Sequence, residues 1–258
     1  MTPTSGAAIL VVDDDRDICR NLTDILTDMG YAVDTAHDGA SALELVRRRP
    51  YDVALLDFRM PGMDGLTLYR EIKALRPSTV ALLVTAHAGG DTEQRALTAG
   101  AWRVLGKPVD LPALLGLIEA ALGEPLVLVV DDDHGLCLSL WDVLRDRGYR
   151  VGLAHDAAGA AAALGDTRYD VVLIDMKLPG GDGRSVFRRI KGSDPMIPAL
   201  LTTGHGAEMQ ATIEATLAEG ASAICYKPLD IEQLLEHLRR LTGDRGARRA
   251  AGPDDAGR

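Results

Sequence analysis

The segment Val11-Val12-Asp13-Asp14-Asp15 returns 118 residues later as Val129-Val130-Asp131-Asp132-Asp133. No other feature of the chain limits its fold so strongly. The same offset carries Cys19 to Cys137, Gly30-Tyr31 to Gly148-Tyr149, Tyr51-Asp52-Val53 to Tyr169-Asp170-Val171, Asp57 to Asp175, Pro61-Gly62 to Pro179-Gly180 and Thr85 to Thr203. Two residues then enter the second copy, so that Gly100-Ala101 pairs with Gly220-Ala221 and Lys107-Pro108 with Lys227-Pro228. Solenoid repeats are only roughly 20–45 residues long, so a copy of this size is expected to be a domain with its own core. The division expected is a first domain over 1–122, a short link over 123–125, a second domain over 126–241 and a flexible tail over 242–258, rich in Gly, Ala, Arg and Asp.

Within a copy, short apolar runs alternate with helical patterns. In the first they place strands near 8–12, 31–35, 52–56, 79–84 and 102–105, and helices near 16–28, 39–48, 64–75, 91–98 and 111–122. The first helix shows its stripe in Ile18, Leu22, Ile25 and Met29, with Cys19 and Leu26 beside it, the three-and-four spacing of a helix face. Five strands alternating with five helices predict an α/β domain with a doubly wound parallel sheet. The fifth helix, 111–122, has Glu119 as its only charge. A helix with so little polar face should be covered on more than one side, which predicts pairing through 111–122, within the chain or in a homodimer.

Composition serves mainly to exclude. A net charge of −10 and a pI near 5.0 argue against direct nucleic-acid binding, which needs clustered Lys and Arg. No apolar stretch approaches the roughly 20 residues needed to span a bilayer, so no membrane partner is expected. Cys19, Cys137 and Cys225 are an odd set without metal-ligand spacing, which fits a reducing, cytoplasmic setting better than a disulfide framework.

In a doubly wound sheet the functional residues gather beyond the carboxyl ends of the strands. Asp13 and Asp14 follow the first strand, Asp57 the third, Thr85 the fourth and Lys107 the fifth; Asp131, Asp132, Asp175, Thr203 and Lys227 repeat the set. With strand order 2-1-3-4-5 these side chains share one crevice. Two carboxylates about 4 Å apart repel by roughly 4 kcal/mol at an effective dielectric near 20, so each crevice needs a cation. Mg²⁺ suits one or two carboxylates and keeps waters that a phosphate can displace. An ionised carboxylate there can attack phosphorus as a nucleophile.

At this point both copies resemble the receiver domain of two-component response regulators, a flavodoxin-like (βα)₅ fold. The matching segments are Val11-Val12-Asp13-Asp14, Asp57 through Gly65, Thr85-Ala86-His87 and Lys107-Pro108, and again Val129-Val130-Asp131-Asp132, Asp175 through Gly183, Thr203-Gly204-His205 and Lys227-Pro228. The resemblance implies phosphorelay signalling, with Asp57 and Asp175 taking phosphoryl groups from a sensor histidine kinase or histidine phosphotransfer protein and output through a downstream protein target. It implies that Asp14 and Asp132 ligate Mg²⁺ directly, Asp13 and Asp131 through water, and the carbonyls of Arg59 and Lys177 complete the shell with Asp57 and Asp175. Thr85, Lys107, Thr203 and Lys227 would bind the phosphoryl group. Arg59, His87, Lys177 and His205 would tune its lifetime, and the bonds before Pro108 and Pro228 would be cis. One departure stands out: Val104 and Ile224 occupy the place, three before the lysine, where the family often carries an aromatic switch.

Other features have plainer readings. Asp64-Gly65 and Asp182-Gly183 are read as caps of the third helix, Cys19 and Cys137 as core, Trp102 and Trp141 as packing. A Mg²⁺-dependent phosphohydrolase would want an acid where Arg59 and Lys177 stand, and a dinucleotide enzyme would want a Gly-rich loop after the first strand. The remaining alternatives are a receiver fragment of a larger regulator or hybrid kinase, and a scaffold with one non-signalling receiver.

Overall fold

The computed structural model describes residues 6–86, 90–178, 181–204 and 207–250. The chain divides into two compact units, Met1–Glu124 and Pro125–Arg258. The first contains β1 (Ala8–Val12), α1 (Arg16–Asp28), β2 (Ala32–Ala36), α2 (Gly39–Arg48), β3 (Val53–Asp57), α3 (Gly65–Leu75), β4 (Val80–Thr85), α4 (Gly90–Thr98), β5 (Arg103–Gly106) and α5 (Leu111–Gly123). Its five strands pair in parallel in the order β2-β1-β3-β4-β5.

The second unit repeats this with β6 (Leu126–Val130), α6 (His134–Asp146), β7 (Arg150–Ala154), α7 (Ala157–Asp166), β8 (Val171–Asp175), a two-residue hairpin β9 (Lys177–Leu178) and β10 (Gly181–Asp182), α8 (Gly183–Ser193), β11 (Ala199–Gly204), α9 (Ala207–Ala218), β12 (Ala223–Lys227) and α10 (Ile231–Ala250). Its main sheet runs β12-β11-β8-β6-β7, the first unit's order read from the other edge.

Side chains alternate across each strand, and the sheet therefore has two apolar faces to cover. In the first unit Leu10, Val12, Ala54 and Leu56 meet Leu43, Val46, Leu68 and Ile72 of α2 and α3. On the other face Ile9, Val11, Val53 and Leu55 meet Cys19 and Leu26 of α1 and Leu114 and Ile118 of α5. The second unit builds the same two layers, with Phe187 and Ile190 on one face and Cys137, Leu140, Leu234 and Leu238 on the other. Side-chain oxygens satisfy the open helix starts: Asp15 accepts from the amides of Asp17 and Ile18, Asp64 from Thr67, and Asp133 from Leu136.

Several boundaries differ from the sequence reading. Strands two to five of the first unit begin and end one residue later than the apolar runs suggest. The backbone ladder is indifferent to side-chain polarity, so β3 runs through Asp57 and β4 through Thr85. Asp52, instead of opening β3, turns its carboxylate to the Ala8 amide at 2.9 Å, and Asp170 does the same for Leu126 at 2.9 Å. The last helix continues past Leu241 to Ala250. The boundary placed at 242 thus falls inside a helix, and 251–258 lie outside the described residues.

The apolar helix α5 sends Leu114, Ile118, Ala121 and Leu122 into the first unit's own core, with Leu111, Leu115 and Leu117 packed against the same cluster. What it leaves exposed is small or polar: Pro112, Ala113, Gly116, Glu119, Ala120 and Gly123.

Candidate functional site

Each sheet ends in a cluster of acidic side chains at the carboxyl edge of its central strands. In the first unit β1 delivers Asp13 and Asp14, and β3 delivers Asp57. Oxygens of these three carboxylates lie within 4.8 Å of one another, with Asp13 and Asp57 buried and Asp14 exposed. Asp131, Asp132 and Asp175 form the same group in the second unit, with the same pattern of burial.

One lysine reaches each cluster. Lys107 Nζ stands 2.8 Å from Asp13 Oδ2 and 2.9 Å from Asp57 Oδ1. Lys227 Nζ stands 2.7 Å from Asp131 Oδ2 and 3.2 Å from Asp175 Oδ2. Three carboxylates therefore face a single ammonium. Burial pushes the Asp57 carboxyl above its ordinary value, Lys107 draws it back, and Asp13 and Asp14 add repulsion. Asp175 is raised in the same way, by burial first, against Lys227 and with Asp131 repelling. Burial works against both ammonium groups, yet their carboxylate partners outweigh it and hold Lys107 and Lys227 above the usual lysine value.

The donor set fits a hard divalent cation. All candidate ligands are oxygens, and one lysine leaves negative charge uncompensated in partly buried surroundings. The two acids of each pair are engaged differently. Asp13 uses Oδ1 to accept from the Asp15 amide at 2.9 Å and Oδ2 for Lys107, and Asp131 is tied likewise to Asp133 at 3.0 Å and to Lys227. The Asp14 and Asp132 carboxylates have no hydrogen-bond partner among the described residues and face solvent.

Thr85 and Thr203 are buried at the ends of β4 and β11, next to the strands that end at Asp57 and Asp175 and those that lead to Lys107 and Lys227. The Arg59 and Lys177 side chains are exposed. His87 and His205 lie outside the described residues. Both Lys-Pro bonds, Lys107–Pro108 and Lys227–Pro228, are cis. Val104 and Ile224 are partly buried aliphatic residues packed on their cores.

Sequence reasoning overlooked two groups of residues around the clusters. Gly65 and Gly183 were read as cap residues only, yet a Cβ on Gly65 would stand 2.2 Å from the Asp57 carbonyl oxygen, and one on Gly183 2.2 Å from that of Asp175. The start of the third helix of each unit therefore lies directly against the backbone of Asp57 or Asp175, held by Gly65 N–H to Phe58 O at 3.0 Å and Gly183 N–H to Met176 O at 3.2 Å. Cys19 and Cys137 are core residues as expected, but each thiol also donates to a carbonyl of the acidic pair, alongside His37 and His155. His37 and His155 keep the repeat offset, which was the available signal. Burial raises both thiols, Cys137 up to about 12, with Asp131 and Asp133 adding to it.

Comparison with known proteins gives a concordant picture. The family model described as response regulator receiver domain matches twice, over residues 9–119 and 127–239. A response regulator receiver protein of Anaeromyxobacter sp. (strain Fw109-5) is 34% identical over 237 residues, covering 92% of this chain and 96% of that protein. The transcriptional regulatory protein ZraR of Escherichia coli (strain K12) is 44% identical over 116 residues, which is 45% of this chain but 26% of that longer protein. Among solved structures, the response regulator TrrA of Thermotoga maritima in complex with Mg²⁺ and BeF is 30% identical with a TM-score of 0.41, covering 45% of this chain and 98% of that one.

Proposed function

Because the chain belongs to the response regulator receiver family, twice over, we propose that Asp57 and Asp175 are both working phosphoacceptors, loaded by a sensor histidine kinase or a histidine phosphotransfer protein. The observation that carries this reading is the pair of acidic clusters, each with three carboxylates against one lysine at the carboxyl edge of a sheet.

A carboxylate oxygen of Asp57 attacks phosphorus in line with the donor's phosphohistidine nitrogen. The O–P bond forms as the P–N bond breaks, and the imidazole leaves with the electron pair and picks up a proton on the donor. Asp57, half-surrounded by Asp13, Asp14 and Lys107, is kept from bulk water by burial, and the ammonium offsets part of what burial costs its ionised form. Mg²⁺, when bound, supplies the charge that lets an anionic phosphoryl group approach three carboxylates. Asp14 would hold it directly, Asp13 through water, and the Arg59 carbonyl with Asp57 would complete the protein's share. Lys107 loses one carboxylate charge on phosphorylation of Asp57 and is free to pair with the new phosphoryl oxygens, and Thr85 donates its hydroxyl to them. Asp132, Asp131, Lys177, Lys227 and Thr203 take these roles around Asp175. Arg59, His87, Lys177 and His205, two residues beyond the acceptor or the threonine, would set access of hydrolytic water.

The protein would thus be an acceptor, with output through contacts with a downstream protein. A phosphoryl group adds about −1.5 to −2 charge, and a swing from 1:99 to 99:1 between two surfaces takes about 5.5 kcal/mol. No described helix is long and apolar enough to cross a membrane, and we place the protein in the cytoplasm. Receiver pairing through 111–122 would have to use the exposed Pro112, Ala113, Gly116 and Ala120, since the larger side chains are occupied by their own core. Light scattering reads the homodimer form of that pairing.

Incubation with acetyl phosphate and Mg²⁺, followed by intact-mass measurement, tests the central claim. Wild type should gain two phosphoryl groups, Asp57→Asn and Asp175→Asn one each, and the double variant none. A wild type that gains none ends the reading. One that gains a single group makes the other receiver the non-signalling half of a scaffold.

A further inference from the structure

The acidic pair at the end of the first strand is pinned from behind in both domains. Asp13 O accepts from Cys19 Sγ at 3.3 Å and faces His37 Nδ1 at 3.3 Å; Asp131 O accepts from Cys137 Sγ at 3.3 Å and faces His155 Nδ1 at 3.1 Å. A carbonyl can only accept, so each Nδ1 carries a proton, and the oxygen's two lone pairs serve both donors. The amides of Asp13 and Asp131 still bond Ala36 and Ala154 across the sheet edge, but their carbonyls lie past the ladder, where side chains must hold them.

The second domain adds one more donor. His134, the first residue of α6, sets Nδ1 3.1 Å from Asp132 O and stacks on His155 with ring centroids 3.7 Å apart and planes 12° apart. The first domain has Arg16 at the matching position, and there no side chain donates to Asp14 O among the described residues. A peptide group is planar, so fixing the carbonyl before a residue fixes the direction in which that residue's backbone enters. Asp14 is held on one side only. Asp132 is held on both, by the peptides that precede and follow it.

We propose that Cys19, His37, Cys137, His155 and His134 are positioning residues for a divalent cation, acting through the backbone of the acidic pairs, and that His134 makes the second domain the tighter cation site. This rests on the reading of the clusters as Mg²⁺ sites. A ligand group already held in its bound direction loses less freedom on binding, and outer partners that orient metal ligands act in this way.

The test is a Mg²⁺ titration of the full chain by ¹H–¹⁵N spectroscopy, in which the amides of Asp14 and Asp132 report the two sites separately. The second site should bind about threefold to tenfold tighter, the scale of one net hydrogen bond. His134→Arg should bring it level with the first site. His134→Asn, whose amide can donate where Nδ1 did, should keep most of the difference. His37→Leu should weaken the first site alone by a similar factor, and His37→Asn should restore it. Equal affinities in wild type, or unchanged affinities in His134→Arg and His37→Leu with well-dispersed spectra, overturn the proposal. Absence of any Mg²⁺-dependent shift at either cluster in wild type removes the cation reading itself, a result distinct from the other two.

Discussion

The two receivers agree where phosphorus would be handled and differ in how the third helix is fastened beside it. In the first unit Tyr69 of α3 donates its hydroxyl to Gly100 O at 2.6 Å, inside the core. The second unit has Phe187 at that position, with no hydroxyl to give. Its α8 reaches the same corner through an ion cluster: Arg188 Nε and Nη2 lie 2.9 and 2.7 Å from the two Glu219 oxygens, and Arg184 Nη2 joins them. Glu219 precedes Gly220, the counterpart of Gly100. A duplicated chemistry has thus kept its carboxylates, threonine and lysine, while a buried neutral bond in one copy stands where the other has an exposed charged one. Site geometry admits few solutions. Holding a helix to a turn admits many.

If the acceptor edge is truly equivalent in the two units, the largest effects should be equal. Gly65→Ala and Gly183→Ala each force a methyl to within 2.2 Å of the acceptor's own carbonyl. Backbone must move, at a cost of about 1–3 kcal/mol or more. Each variant should lose phosphorylation at its own aspartate and keep it at the other, read by intact mass and by chemical denaturation. Loss in only one of the pair would show that the two edges are not the same structure.

The fastening should then separate the units. Tyr69→Phe leaves the Gly100 carbonyl without that donor and should cost the first unit about 1–3 kcal/mol in urea unfolding. The second unit, which already has Phe187, shows that a phenyl ring fits the site.

A smaller, shared effect should come from Asp57 and Asp175. Their carboxyl groups are raised by burial and by their acidic neighbours, so the ionised form is less favourable folded than unfolded. The penalty is absent below the ordinary aspartate range and grows as pH rises through the folded value. Without Mg²⁺, Asp57→Asn and Asp175→Asn should therefore each raise the melting temperature of their domain at pH 7, even though each loses a bond to lysine. With saturating Mg²⁺ the gain should shrink or reverse. A fall in both conditions would mean that the lysine contact outweighs burial.

Much of this was visible in the sequence because repetition filters accident. The order of Asp13, Asp57, Thr85 and Lys107 after apolar runs, repeated at Asp131, Asp175, Thr203 and Lys227, pointed to one crevice per copy, and the sheet order delivers it. Cys19 was placed on an inward face correctly. Its bond to Asp13 O was not legible, because periodicity gives the direction of a side chain and not what lies at its end. Gly65 looked like a cap partner since nothing local reveals that a strand end 8 residues earlier presses against it. The Arg184–Glu219–Arg188 cluster joins a helix to a turn residue 31 and 35 positions further along, beyond the reach of any local pattern.

The ion cluster gives the finest test of the contrast. Arg188 first, then Arg184, hold the Glu219 carboxyl down at about 2, well below its ordinary 4.5. A lowered folded value means stability that is present above the ordinary glutamate range and is lost as pH falls toward about 2. That contribution belongs to the second unit, while the Tyr69 hydroxyl bond carries no titrating group in this range. Glu219 is also exposed enough for salt to screen it, with a Debye length of about 8 Å at physiological ionic strength. Glu219→Gln should therefore cost the second unit little at neutral pH, and the cost should shrink in high salt and vanish near pH 2, whereas the deficit of Tyr69→Phe should be the same in both salts. Comparing the two variants by urea unfolding at low and high NaCl decides the matter. If the Glu219→Gln deficit does not respond to salt, the corner of the second unit is held by packing of Phe187, and the charged residues are only its rim.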